Sequence, residues 1–127
     1  MSYAYDDQNI FAKILRGEIP CKKVHETEHS LAFHDINPQA EVHVLVIPKG
    51  PYVTYDHFAE AASEAEIVDY VRAIGQVAKQ LGVNPPEGGK GSRILSNNGP
   101  DAHQEVPHLH IHILSGRTLG RMVGKPA

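Results

Sequence analysis

In DDQNIFAKILRGEIP the apolar residues Ile10, Phe11, Ile14 and Leu15 recur at helical spacing, with Asp6 or Asp7 placed as an N-cap and Gly17 followed by Pro20 as a stop. The pattern predicts a short amphipathic helix. CKKVHET and SLAFHDI then read as two strands around a turn near residues 28–30, ended by the breaker NPQAE. VHVLVIPKG, a β-branched run closed by Pro48, is the most strand-like segment. Across residues 55–81 the period changes. Ile67, Tyr70, Ile74, Val77 and Leu81 alternate spacings of three and four, and Gly82 is placed to cap the end, so one long helix with an apolar stripe is expected.

The glycine- and proline-dense GVNPPEGGKG lacks the Lys-Ser/Thr ending of a phosphate-binding loop and follows a helix, so it reads as a plain connection. SRILSN gives another short strand, NGPDAHQE a loop, and VPHLHIHIL a strand in which histidine alternates with leucine and isoleucine. The tail GRTLGRMVGKPA has little pattern, and no internal repeat or low-complexity tract occurs. Strands joined by short turns favour antiparallel pairing. The expected fold is therefore α+β, a five-stranded antiparallel sheet with one short and one long helix packed on one face.

A length of 127 residues suits one domain over residues 1–127, able to close a core without help from disulfides or metal. Hydrophobic residues at 41% and charged residues at 21% make the chain too apolar for a disordered one. A net charge of -3 argues against wholesale binding to a nucleic-acid backbone, while leaving room for a local phosphate site. Cys21 is the only cysteine, which excludes an internal disulfide and suits a reducing compartment. MSYAYDDQNIF has no basic region leading into an apolar run, and no later stretch reaches membrane-spanning length. A cytoplasmic protein with no nucleic-acid or membrane partner is expected.

Nine histidines are the one compositional oddity, and four of them, His103, His108, His110 and His112, fall within ten positions. On a strand, His108, His110 and His112 share one face, and Leu109, Ile111 and Ile113 share the other. Same-face neighbours lie about 6.5 to 7 Å apart, so three in line span roughly 13 Å, too far to ligate one metal at about 2.0 to 2.1 Å. Two of them with a carboxylate such as Asp101 or Glu105 could chelate. Solvent-facing decoration is the bland alternative. Catalysis on an anionic substrate, with one imidazole attacking and its neighbours positioning and protonating, fits the strict alternation better.

QEVPHLHIHIL resembles the signature of the histidine triad (HIT) family, three histidines alternating with apolar residues after a glutamine. IFAKILRGEIP, LAFHDINPQAEVHVLVIPKG and LSNNGPDAHQEVPHLHIHILSGR resemble, in order and spacing, segments of its Hint branch, so the resemblance covers residues 8–116 and leaves 117–127 as a C-terminal tail. That resemblance implies a homodimer whose two sheets join, and hydrolysis of purine nucleoside 5′-phosphoramidates, dinucleoside polyphosphates or related esters, without a cofactor. It implies that His110 is the nucleophile that becomes a nucleotidyl-histidine, with His112 donating to a phosphate oxygen or the leaving group and His108 and His43 in support. Asp35 resembles the carboxylate that grips the ribose hydroxyls. Ile10, Phe11, Ile14, Phe33 and Ile36 match the apolar slot around the base, with His34 beside it. Asn97 and Gln104 match polar positions near the phosphate, and backbone N–H groups between Asn97 and Val106, Glu105 included, could meet its charge.

On pattern alone Ile10, Phe11, Ile14 and Phe33 also suit an ordinary core, Asp35 a turn, His43 a satisfied buried histidine and Asn97 a loop. The chain also departs from the family in places. Glu105 stands where the best-known phosphoramidases have serine, and its carboxylate opposes an anionic phosphate unless it points away. The tail lacks the tryptophan-containing ending of animal relatives. Asn9 and Ala12 stand near the places where some bacterial relatives carry zinc-binding cysteines, so no structural metal is expected. His112 replaces the glutamine of the uridylyltransferase branch and speaks for hydrolysis. Two rivals stay open: a nucleotide-binding regulatory module with little turnover, and a metal-dependent hydrolase using the histidine cluster.

Overall fold

The computed structural model describes residues 3–122. Five strands, β1 (Lys23–Glu26), β2 (Ser30–His34), β3 (Val42–Pro48), β4 (Arg93–Ser96) and β5 (Ile111–Ser115), form one antiparallel sheet in the spatial order β1-β2-β3-β5-β4. Three helices accompany it, α1 (Ile10–Leu15), α2 (Tyr55–Ala61) and α3 (Glu64–Gln80). The α+β class and the five-stranded antiparallel sheet expected from the pattern are present.

β3 lies in the middle of the sheet, which explains why it is apolar almost without interruption: both of its faces are covered. Val44 and Val46 point to one side and pack with Leu109, Ile111 and Ile113 against Tyr70, Ala73 and Val77 of α3. Tyr70 is buried there without penalty because its hydroxyl donates to the Val46 carbonyl at 2.6 Å. Leu45 and Ile47 point to the other side and pack with Leu31, Phe33 and Phe11 of α1. The expectation that the helices share one face is thus corrected. A six-residue helix is too short to stand without tertiary support, and Phe11 provides it by closing the second, smaller core.

Three local expectations also change. The run over residues 55–81 is two helices, not one, because Ala62 and Ser63 are extended and Ser63 starts α3 anew. Its hydroxyl accepts from the Glu66 N–H at 3.1 Å while the Glu66 carboxylate accepts from the Ser63 N–H at 3.1 Å, a reciprocal capping box that SEAE spells out. The N-cap of α1 is Asn9, whose Oδ1 accepts from the Ala12 N–H at 2.9 Å, and neither Asp6 nor Asp7. The last strand begins only at Ile111. Pro107 offers no donor, the His108 N–H turns back to the Val106 carbonyl at 2.8 Å, and the Leu109 N–H goes to Tyr52 at 2.8 Å.

Ser63→Ala removes one half of the capping box and is expected to lower the unfolding free energy by about 1 kcal/mol. Urea denaturation checks this, and an unchanged midpoint would show that Glu66, which also accepts from the Tyr52 hydroxyl at 2.8 Å, holds the helix start by itself.

Candidate active site

The sheet face that carries α1 is open beside the helix, where β2, the start of β3 and the segment entering β5 send their side chains into a pocket of about 580 Å³. That volume is in the range of small-molecule sites. Its apolar wall is made by Ile10, Phe11, Ile14, Phe33, Ile36 and Val106, and its polar side by His34, Asp35, His43, His110, His112, Asn97 and Glu105. Thirteen of the fifteen expected positions therefore meet at one place. His108 and Gln104 do not line it.

Gln104 is spent on the loop itself. Its Nε2 donates to Val53 at 2.6 Å and Val106 at 3.1 Å, and its Oε1 accepts from the Gly99 N–H at 2.8 Å. His108 is fully buried behind the pocket, with Nε2 at 2.8 Å from the Pro48 carbonyl and Nδ1 at 2.6 Å from the Tyr5 hydroxyl. Phe11 and Phe33 belong to the smaller core and also form the pocket wall, Ile14 packs against that core partly buried, and Ile10 and Ile36, at 38% and 83% exposure, are not core residues although they line the pocket. Asp35 likewise serves twice. Its Oδ1 accepts from the Asn37 N–H at 2.8 Å and fixes the turn, and its Oδ2 lies 3.4 Å from His43 Nε2.

Backbone contacts assign the ring hydrogens. His110 Nδ1 sits 2.7 Å from the His108 carbonyl, which can only accept, so Nδ1 carries the hydrogen and Nε2 keeps its lone pair. The Gln39 N–H donates to His43 Nδ1 at 3.0 Å, so His43 Nε2 bears hydrogen and donates to His112 Nδ1 at 2.8 Å. The hydrogen of His112 is then on Nε2, which is buried and has no partner among the described residues. The result is one imidazole nitrogen offering a lone pair and, on the neighbouring ring 5.1 Å away, one offering a proton.

Burial disfavours the charged form of each of these rings. His108 is pushed down to about 4 by burial. His112 is likewise pushed down to about 4, by burial and then by the neighbouring His110 and His43. His110 is lowered chiefly by burial, against the pull of the His108 carbonyl and the Asp35 and Glu105 carboxylates, and His43 is lowered by burial against Asp35. All four imidazoles are therefore neutral at pH 7.

Two of the triad histidines with Asp101 or Glu105 do not come together as metal ligands among the described residues. Among the described residues the grouping that could hold an ion is instead Asp35, His43 and His112, whose ligand atoms lie within 4.8 Å of one another. Only one triad member takes part. Nitrogens that ligate one tetrahedral ion at about 2.0–2.1 Å sit roughly 3.3 Å apart. The 2.8 Å between His43 and His112 is the length of a shared hydrogen. Asn9, near the place where some bacterial relatives carry a zinc-binding cysteine, caps α1.

The sequence reading missed Gln39, whose backbone sets the His43 tautomer, and Tyr5, whose partner is 103 residues away. It also missed His103, a pocket residue held in the left-handed region at φ 56° after the short 3-10 turn Pro100–Ala102. Four histidines within ten positions marked His103, but nothing in its neighbours signals that conformation.

The model of the HIT domain matches residues 16–119. An uncharacterized 13.2 kDa HIT-like protein of Azospirillum brasilense is 62% identical over 125 residues, 98% of this chain and 99% of the relative. Among solved structures, a HIT family hydrolase from Legionella pneumophila superposes with a TM-score of 0.79 at 35% identity, covering 91% of this chain and 98% of that one. A histidine triad nucleotide-binding protein from Candida albicans gives 0.77 at 34% identity, covering 94% and 84%. A triad built on this sheet, with this overlap in sequence and shape, defines a histidine triad protein. The chain belongs to the HIT family.

Proposed function

We propose that this chain is a Hint-branch nucleotide hydrolase that cleaves purine nucleoside 5′-phosphoramidates or dinucleoside polyphosphates through a covalent nucleotidyl-histidine on His110. The observation that carries the reading is the 2.7 Å bond from His110 Nδ1 to the His108 carbonyl. It leaves a neutral Nε2 lone pair on a residue that lines the pocket, which is what attack on phosphorus at neutral pH needs. The names of the Legionella and Candida structures, a hydrolase and a nucleotide-binding protein, support the same reading.

In the first step the Nε2–phosphorus bond forms and the bond from phosphorus to the leaving group breaks. The His112 Nε2–H donates to a phosphate oxygen or to the leaving group. In the second step water attacks phosphorus, the nitrogen–phosphorus bond breaks, the proton shed by the water replaces the one passed to the leaving group, and the nucleoside monophosphate departs. Asp35 is the acceptor for the ribose diol, a task suited to a carboxylate with one oxygen still unspent on its turn. The base lies between Ile10, Phe11, Ile14, Phe33 and Ile36, beside His34. The N–H groups of Gly99, Ala102, His103 and Gln104 are committed within their own loop, so those of Glu105 and Val106 are the ones to meet the phosphate, with Asn97 nearby. Gln104 then acts by holding that loop. The working form is a homodimer, and the compartment is the cytoplasm.

The test is steady-state hydrolysis of adenosine 5′-phosphoramidate and diadenosine polyphosphates with and without chelator, and of the same phosphoramidate lacking the ribose 2′-hydroxyl. Chelator-resistant turnover is expected, with the deoxy substrate raising KM by about tenfold for one lost hydrogen bond to a charged group. Tight monophosphate binding with no turnover would leave a binding module. Activity lost to chelator and restored by metal would shift the reading to an ion held by Asp35, His43 and His112.

A further inference from the structure

Tyr5 lies in the segment before α1, outside the pocket, and yet its hydroxyl is 2.6 Å from Nδ1 of the first triad histidine. The Pro48 carbonyl, 2.8 Å from His108 Nε2, can only accept, so Nε2 carries the ring hydrogen. His108 is wholly buried and neutral, which makes Nδ1 a buried lone pair that needs a donor. The Tyr5 hydroxyl is that donor. The ring of Tyr5 also meets the His108 ring edge-on with centroids 5.6 Å apart, and Tyr3, two residues earlier, stacks on His57 at the start of the helical layer. The segment thus lies across the back of the triad as a strap.

The same His108 whose side chain Tyr5 holds presents its carbonyl to His110 Nδ1 at 2.7 Å. We propose that Tyr5 is a positioning residue: by donating to His108 Nδ1 it fixes the tautomer and rotation of that ring, and so the carbonyl that keeps the hydrogen of His110 on Nδ1 and its lone pair on Nε2. The order is Tyr5 O–H to His108 Nδ1, His108 Nε2–H to Pro48, and His110 Nδ1–H to the His108 carbonyl. Without the tyrosine hydroxyl, His108 loses one of its two ring anchors. It can then satisfy itself only by turning, which moves a backbone not tied into the sheet, since β5 begins at Ile111.

Because the catalytic consequence rests on the hydrolase reading, the experiment has one readout that does not need turnover. In Tyr5→Phe the ring contacts remain and only the donor is lost. Long-range 15N–1H spectra of the imidazoles at pH 7 are expected to show the wild-type His108 as a single Nε2–H tautomer and His110 as a single Nδ1–H tautomer. In Tyr5→Phe the His108 Nδ1 signal is expected to move toward that of an unbonded nitrogen, and His110 to become a mixture of tautomers. With adenosine 5′-phosphoramidate, kcat is expected to fall about tenfold with KM within about twofold, the split expected when orientation of the nucleophile is lost and binding is kept. Unchanged imidazole signals overturn the proposal whatever the turnover does. Altered signals with an unchanged kcat overturn its catalytic half. If the wild type hydrolyses no nucleotide, the hydrolase reading fails, and the tautomers alone decide whether Tyr5 sets them.

Discussion

His110→Ala is expected to lower kcat for nucleoside phosphoramidate hydrolysis by ~10⁴-fold or more, the scale on which removal of a covalent nucleophile acts. The side chain supplies the Nε2 lone pair whose partner nitrogen is fixed by a carbonyl, and neither of the other two triad histidines can replace it. His108 has both nitrogens engaged, and His112 presents a hydrogen instead of a lone pair. The fold should survive, because the loss is one hydrogen bond to the His108 carbonyl, worth about 1 kcal/mol, beside a pocket that can admit water. Monophosphate binding should persist as well, since Asp35 and the apolar wall are untouched. Circular dichroism, monophosphate titration and initial rates on the same sample separate these effects. Equal turnover by variant and wild type would remove His110 as nucleophile. An alkaline quench followed by intact mass measurement should find the nucleotidyl adduct on wild type and none on the variant.

Under the proposed chemistry Glu105 is expected to bear on which leaving group is cut fastest. It is exposed and lines the pocket, with its carboxylate near enough to favour the charged form of His110. The opposition to an anionic substrate expected of this carboxylate is therefore tested by Glu105→Ser, which should lower KM for the phosphoramidate if the carboxylate faces the phosphate.

Most of the sheet was legible because alternation and β-branching reflect burial directly, and β3 has both faces covered. The triad was legible for a related reason: Leu109, Ile111 and Ile113 must face α3, so the residues between them must face the other way. What stayed hidden depends on the backbone or on distance along the chain. The alternation in VPHLHIHIL reads as one strand and does not reveal that, behind Pro107, the ladder waits until Ile111. The Gln39 N–H that sets the His43 ring is invisible in a list of side chains, and Tyr5 meets His108 only because the segment before α1 lies across the back of the triad, 103 residues away along the chain. Gln104 stands in the loop behind the pocket and not in its lining, since an amide has two ends and the loop uses both. The divided helix, by contrast, was written in SEAE, but the apolar stripe that runs on into α3 masked it.

Acid should weaken the fold earlier than its carboxylates can. A buried imidazole with a lowered folded value binds its proton less readily than the same residue in the unfolded chain. Between pH 6.5 and about 4 the unfolded chain therefore holds a proton that His108 in the folded chain refuses. Bound protons favour the state that takes more of them, so stability falls as pH drops below about 6.5 and the loss levels off near 4. His108 alone should cost about 2 kcal/mol by pH 5 and on the order of 3 kcal/mol at the limit, out of a typical total of about 5–15 kcal/mol. His112 adds to this, though less, because it is partly exposed. The carboxylates whose values are lowered, Glu26 to about 2 with its lysine partners and Asp69 and Glu66 within hydrogen-bonded clusters, act with the same sign but only below their ordinary values near 4. The interval from pH 7 to pH 5 thus isolates the imidazoles. Urea denaturation at the two pH values should give a free energy at least about 2 kcal/mol lower at pH 5. Turnover per folded molecule should stay level through pH 6.5, where a free imidazole would be half protonated. Equal stability at both pH values would mean that the folded imidazoles take up protons as readily as those of the unfolded chain, and turnover would then fall as pH drops through about 6.5 instead of staying level.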